Sequence, residues 1–373
     1  MLFYDKGKKE WIKKNGEKGF LINGFYNAHS HVAMTLLKGK AENLPLHEWL
    51  KNIVWPIEEK LSKKDVYYSS LLGFYEMIRN GIVMFNDMYW KYPEEIARAA
   101  EEIGIKGYVC YDVGIDYNLK RARIFLKKKY KHVKPAIAVH SIYKADEKII
   151  KEAYEIAKEY KTIFHMHLAE TREELFYSLS NFNKRPATYL NDLKVIDENT
   201  VLAHVSWVTT EEIKMLAKTK ALIVHCPTSN LKLATGAIFP LHEFQKHNAN
   251  IALGTDSVAS NNSLSILQEM KLASILQKHR YWDASLPDLK LLFDSTIAKT
   301  KSQVFISASL KDFNIFPYYD PYYSIIYSAD VKNIKRVVIE DEVFIDDYNF
   351  VDKHRRKIKE AVEYIEKRAQ SLY

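Results

Sequence analysis

Short apolar runs of strand length recur along this chain, and eight of them end on a histidine or an aspartate. The first covers 20–26 and leads into Asn27-Ala28-His29-Ser30-His31. The others cover 81–87, 106–112, 135–140, 162–167, 200–204, 221–225 and 250–256. Between them lie stretches with helical spacing. Over 146–160, Ile149, Ile150, Ala153, Ile156 and Ala157 fall on one side, with Lys and Glu opposite. Residues 263–277 and 288–306 read the same way. The alternation predicts β/α units around a parallel sheet, and eight units predict a closed, distorted (β/α)8 barrel over 20–313. In such barrels the carboxyl ends of the strands converge on the active site. A core histidine explains one polar strand end; it explains eight poorly.

The flanks do not fit the barrel. Ile325-Ile326-Tyr327, Val337-Val338-Ile339 and Val343-Phe344-Ile345 predict short strands. With the amino-terminal residues they predict a reduced β side domain built from 1–19 and 314–350. Residues 351–373 predict a C-terminal helix, with Ile358, Ala361, Val362 and Ile365 as its packed stripe amid charge.

Composition narrows the class. With 47% hydrophobic and 27% charged residues over 373 positions, the chain has the makeup of a soluble protein with a large core. No run is long and apolar enough to span a membrane. Residues 1–14 mix Asp5 and Glu10 with five lysines, which does not read as a signal peptide. Two cysteines, Cys110 and Cys226, offer no disulfide framework, so a reducing cytoplasm is expected. The net charge of +8 is dispersed, densest at 127–129 and 354–357, and accompanies no nucleic-acid recognition module. A small molecule is the expected partner, with neither nucleic acid nor membrane.

The chemistry starts at His29 and His31. Alternate residues of a strand share a face, about 7 Å apart along it, so two imidazoles can close on one metal ion. Taken together, several segments resemble the amidohydrolase superfamily, in the branch of chlorohydrolases and of deaminases acting on methylthioadenosine and S-adenosylhomocysteine. They are residues 27–39, Trp55-Pro56-Ile57-Glu58, Asn86-Asp87-Met88-Tyr89, His167-Leu168-Ala169-Glu170-Thr171, Ala203-His204, 225–233 and 254–262. They occur in the family's order. The resemblance implies one divalent ion, zinc, held by His29, His31, His167 and Asp256. It implies that Glu170 moves the proton of the attacking water to a ring nitrogen, that His204 polarises that water or the tetrahedral oxygen, and that Asp256 also accepts a proton. Glu58 resembles the carboxylate that accepts ribose hydroxyls, Trp49 a pocket wall, and His140 and Ser260 groups at the ring and rim. Asp87 and His225 resemble residues behind the ligands, and His165 reads as an interior hydrogen-bonding residue. The chain departs from the family in its short flanking β segments, in Ser257 where glycine is common, and over 111–134, which matches loosely.

The implied function is hydrolytic deamination of an adenosine-like purine nucleoside, by a homo-oligomer. Deamination of guanine or another base, or chlorohydrolase-type cleavage of a ring C–N or C–Cl bond, stands as an alternative. A non-catalytic binding or assembly protein is a third reading.

Overall fold

The computed structural model describes residues 1–40 and 42–371. Two sheets organise it. In chain order the strands are β1 (Leu2–Asp5), β2 (Glu10–Lys13), β3 (Gly19–Ile22), β4 (Phe25–His31), β5 (Ile82–Tyr89), β6 (Lys106–Asp112), β7 (Val133–Val139), β8 (Phe164–Leu168), β9 (Thr200–His204), β10 (Leu222–His225), β11 (Ile251–Leu253), β12 (Asp256–Ser257), β13 (Gln303–Ser307), β14 (Ile334–Ile339), β15 (Glu342–Asp346) and β16 (Asn349–Phe350). The larger sheet runs β11-β10-β9-β8-β7-β6-β5-β4-β12. All its pairings are parallel, with helices between successive strands from β4 to β11.

The ring is completed by one stretch of chain. β11 pairs with β10, and three residues later β12 pairs with β4, matching Asp256 to Ser30 and Ser257 to His31. Gly254 makes this crossing possible: a Cβ there would meet the His29 carbonyl oxygen and Cβ at 2.9 Å. The fold is therefore the distorted (β/α)8 barrel that the alternation predicts.

The second sheet runs β16-β15-β14-β13-β3-β1-β2. It takes in Gly19–Ile22 and Gln303–Ser307, stretches that the periodicity places in the barrel's first strand and in a helix over 288–306. Gly24, at φ +88°, turns the chain between β3 and β4 and divides the first apolar run between the two sheets. The predicted long helix stops at Thr296, and the apolar Val304 and Ile306 pair as strand residues with β3 and β14. A further correction concerns Ile325-Ile326-Tyr327, which lies in a helical turn, Ser324–Ser328, not a strand.

The final helix runs Asp352–Ser371; Leu372 and Tyr373 lie outside the described residues. It packs on the helix Lys63–Arg79, whose amino terminus carries a Ser62/Asp65 capping box. Asp65 also accepts from Tyr364 at 2.8 Å and from Arg368 at 2.9 Å, so the capping carboxylate anchors the tail as well.

Candidate metal centre and active site

The carboxyl ends of β4, β8 and β9 and the first residue of β12 bring His29, His31, His167, His204 and Asp256 together. Ligating atoms of His29, His167, His204 and Asp256 lie within 4.8 Å of one another. The Nε2 atoms of His29 and His31 each sit 3.2 Å from Asp256 Oδ1, and His31 Nε2 is 3.3 Å from His167 Nε2. The outer nitrogens are engaged. His31 Nδ1 donates to the Met88 carbonyl at 2.5 Å, and His167 Nδ1 to the His140 carbonyl at 2.8 Å. His29 Nδ1 faces His165 Nε2 at 3.0 Å, and His165 Nδ1 faces Cys110 Sγ at 3.7 Å. These contacts fix ring orientation and leave the Nε2 lone pairs turned inward.

Glu170 and His204 flank the cluster. His204 Nδ1 meets Asn230 Oδ1 at 2.7 Å, and its Nε2 lies 3.7 Å from Glu170 Oε1. The Glu170 loop is shaped by the next helix, Arg172–Phe182. Thr171 caps it by accepting from the Glu174 N–H. In a capping box the third helical residue would turn back to the cap. Glu174 instead reaches past it, its two oxygens accepting the backbone N–H groups of Ala169 and Glu170, both at 2.9 Å. Ala169 sits at φ +49°, His204 at +75° and Asp256 at +59°, so three strand ends at the site hold non-glycine residues in left-handed backbone.

A cavity opens over the cluster, with about 570 Å³ of atom-free space, part of it open to solvent. Its roof is a helical strap made of Leu46–Trp49, a π-helical turn Leu50–Val54 and Trp55–Glu58. Trp49 and Glu58 of this strap line the cavity, as does His140 after β7. Glu58 is buried, and its Oε2 accepts from Trp90 Nε1 at 3.0 Å. Ser260 lies elsewhere, 1% exposed beneath Asp256, donating to its Oδ2 at 3.2 Å; Ser257 is the serine on the cavity wall. Asp87 sits behind the ligands, accepting from the Val32 N–H at 2.6 Å and Ser30 Oγ at 3.1 Å. His225 stacks on Phe239 with both ring nitrogens unpartnered.

Burial and mutual charge shift the titration of these groups. Burial depresses His29 to about 4. Burial also works against the charge of His31, but the Asp256 carboxylate outweighs it and carries the ring up to about 9. Burial pushes Asp256 up, yet the facing imidazoles of His29 and His31 hold it well below the carboxylate range. Burial, then the nearby Asp256 charge, lifts Glu170 well above that range, as suits a carboxyl that carries protons.

Several contributors carry no sequence signal of their own. Glu174, one turn beyond Glu170, reads from sequence as a first-turn helix carboxylate. Ser229, 2.5 Å from Asp256 Oδ2, and Asn230 lie inside the 225–233 motif, but their roles emerge only when β10 is set beside β9 and β11.

The donor set fits a divalent cation. His29 Nε2 is buried without a hydrogen-bond partner, its approach to Asp256 being off the hydrogen-bonding direction. The Nε2 atoms of His31 and His167 face each other while their Nδ1 atoms are committed to carbonyls. Inward-facing imidazoles around one carboxylate oxygen are a zinc-type set that leaves a position for water.

Residues 20–297 match the amidohydrolase family. The 5-methylthioadenosine/S-adenosylhomocysteine deaminase of Pyrococcus abyssi is 34% identical over 367 residues, covering 91% of this chain and 86% of the relative. The 5'-deoxyadenosine deaminase of Methanosphaera stadtmanae is 33% identical, covering 89% of this chain and 84% of its own. Among solved structures, an adenosine deaminase from Xanthomonas campestris with bound zinc superposes with a TM-score of 0.84 at 25% identity, covering 94% of this chain and 87% of that one.

Proposed function

This chain belongs to the amidohydrolase family, and from that premise we propose that it is a metal-dependent hydrolytic deaminase of an adenosine-like purine nucleoside. The observation that carries the reading is the buried Glu170 carboxyl facing His204 beside three inward imidazoles and Asp256, under a cavity that also holds the Glu58 carboxylate. One divalent cation, zinc, would be held by His29, His31, His167 and Asp256; when bound, it lowers the pKa of the attacking water toward ~7. His204 also brings a ligating atom within 4.8 Å of those of His29, His167 and Asp256; its Nε2 lies 3.7 Å from Glu170 Oε1, and we give it the water-polarising role.

The balance is that of a hydrolysis. Water oxygen adds to the ring carbon bearing the exocyclic amine. Glu170 takes a water proton and delivers it to the neighbouring ring nitrogen; a second proton reaches the amine, which leaves as ammonia. The product carries a carbonyl where the amine stood. His204 donates its Nδ1–H to Asn230 Oδ1, which leaves the Nε2 lone pair facing Glu170 and the site, where it polarises the attacking water by accepting from it. Glu58, already bound by Trp90, accepts the ribose hydroxyls. His140 and Trp49 orient ring and sugar from the walls, and Asp87 braces the backbone around His31 through Ser30 and Val32.

Both cysteines are buried and unpaired, which supports a reducing, cytoplasmic setting. Among the described residues no helix is long and apolar enough to cross a membrane. The exposed side chains Leu310, Phe313 and Tyr319 support a homo-oligomer, to be checked by light scattering on the eluted protein. The function is tested by ammonia release from adenosine, methylthioadenosine, adenine, guanine and cytosine, with metal content measured on the same sample. Guanine or cytosine as the best substrate would refute the adenosine reading and spare the hydrolase.

A further inference from the structure

The deaminases similar to this chain differ, by their names, in what hangs from the 5′ carbon of adenosine: hydrogen, a methylthio group, or a homocysteinyl group with an ammonium and a carboxylate. The walls of this cavity bear on that choice. The strap presents Leu46, Leu50 and Val54 at four-residue spacing, and Glu58 continues the stripe. Ile115 and Leu233 add apolar wall from the loops after β6 and β10. The acidic side chains on the lining are Glu58, Asp112, Glu170 and Asp256, and among the described residues no lysine or arginine joins them.

Cations on the neighbouring loops already have partners, and their ammonium or guanidinium groups do not line the cavity. Lys91, after β5, donates to the Glu58 carbonyl at 2.8 Å and the Glu59 carbonyl at 2.5 Å. Arg121, beyond β6, pairs with Glu94 at 3.2 Å. Lys144, after β7, lies 3.5 Å over the Trp55 ring. A substrate carboxylate brought into this cavity would give up its water, meet apolar wall and find acidic side chains in place of a counter-ion.

We propose that the 5′ substituent this enzyme accepts is uncharged, of the kind found in 5′-deoxyadenosine and methylthioadenosine, and that the absence of a cation on the cavity wall excludes the homocysteinyl group. This rests on the adenosine-like reading above.

The experiment compares kcat/KM on four compounds with the metal-loaded enzyme: 5′-deoxyadenosine, methylthioadenosine, S-adenosylhomocysteine and 5′-butylthioadenosine, which has a long neutral chain. The first two and the butylthio compound are expected to be comparable, and S-adenosylhomocysteine lower by about 10²-fold or more, since an apolar pocket rejects even an added hydroxyl by about that factor. Ile115→Arg places a cation on a half-buried wall position and is expected to narrow the gap by raising S-adenosylhomocysteine turnover selectively. Equal turnover of methylthioadenosine and S-adenosylhomocysteine overturns the inference. A butylthio compound as poor as S-adenosylhomocysteine, or a gap unmoved by Ile115→Arg, overturns charge as its cause. Silence with all four compounds would refute the adenosine reading itself, a result distinct from any of these.

Discussion

The Glu174 carboxylate binds the backbone of Glu170, not its side chain. One oxygen takes the Glu170 N–H and the other the Ala169 N–H, both at 2.9 Å. Ala169 is held from the far side too, its carbonyl accepting from Ser206 at 3.0 Å and Trp207 at 2.9 Å. The left-handed turn that aims Glu170 is thus clamped between the loops after β8 and β9. Glu174→Gln keeps the size but opposes an amide donor to a backbone donor. It is expected to lower kcat by about 10²-fold through misplacement of Glu170, with KM and metal content near wild type. A fall in KM and kcat together, or no change, would remove Glu174 from that role.

Glu170→Gln removes the proton carrier and nothing else in the cluster. The expected loss is about 10²–10⁴-fold or more in kcat, with unchanged fold and metal content. Circular dichroism and elemental analysis on the same preparation separate this from misfolding. A variant that keeps most of its activity sinks the assignment.

Metal stoichiometry follows from the donor count. The imidazoles cluster around a single carboxylate, Asp256, and offer one site, so about one divalent ion per chain is expected by elemental analysis. Chelation should abolish ammonia release, and zinc should restore it. It should also lower the Tm, because the buried imidazoles lose a shared partner. An active preparation without metal contradicts this outright.

Glu58→Gln tests the sugar contact. A carboxylate accepting hydroxyls contributes about 1.5–3 kcal/mol per hydrogen bond, so nucleoside kcat/KM should fall by about 10-fold or more while any residual turnover of adenine stays level. Equal loss on both, or on neither, argues against ribose recognition by Glu58.

Acid should loosen the tail. Asp65 has a depressed pKa: burial acts to raise it, but the Ser62 N–H, Tyr364, the Ser62 hydroxyl and Arg368 outweigh that. A depressed carboxylate contributes stability that is full above its unfolded pKa of about 3.9 and is lost as pH falls through the lower folded value. Asp65→Asn should therefore destabilise by about 1–3 kcal/mol at neutral pH, and by less in acid. Urea unfolding of both proteins across that range checks it; a difference that is flat with pH would show that packing, not charge, carries the contact.

The barrel was legible because its strands end on polar residues that a buried apolar run has no other reason to carry: His31, His167, His204 and Asp256 mark the site before any geometry is known. What stayed hidden has physical causes. A single glycine, Gly24, sends two halves of one apolar run to different sheets. Short apolar triplets such as Ile325-Ile326-Tyr327 suit a strand or a helical turn equally, and the neighbours decide. Ser260 reads as a rim residue yet lies under Asp256, because the short helix Val258–Asn261 folds it inward. Glu174 and Asn230 act across loops, through contacts that local spacing does not encode.

The crossing at Gly254 has a consequence for how the molecule is made. The stretch that shuts the ring also delivers Asp256, which docks beside Ser30 and His31 more than two hundred residues away in the chain. The centre is complete only when that seam meets, so completing the chemistry and closing the ring depend on the same non-local pairing. A cation held by the β4 histidines and Asp256 would act as a clasp across the seam. Losing it would cost the barrel its fastening at the join as well as its activity, and the first region to open should be the strand pair β4–β12.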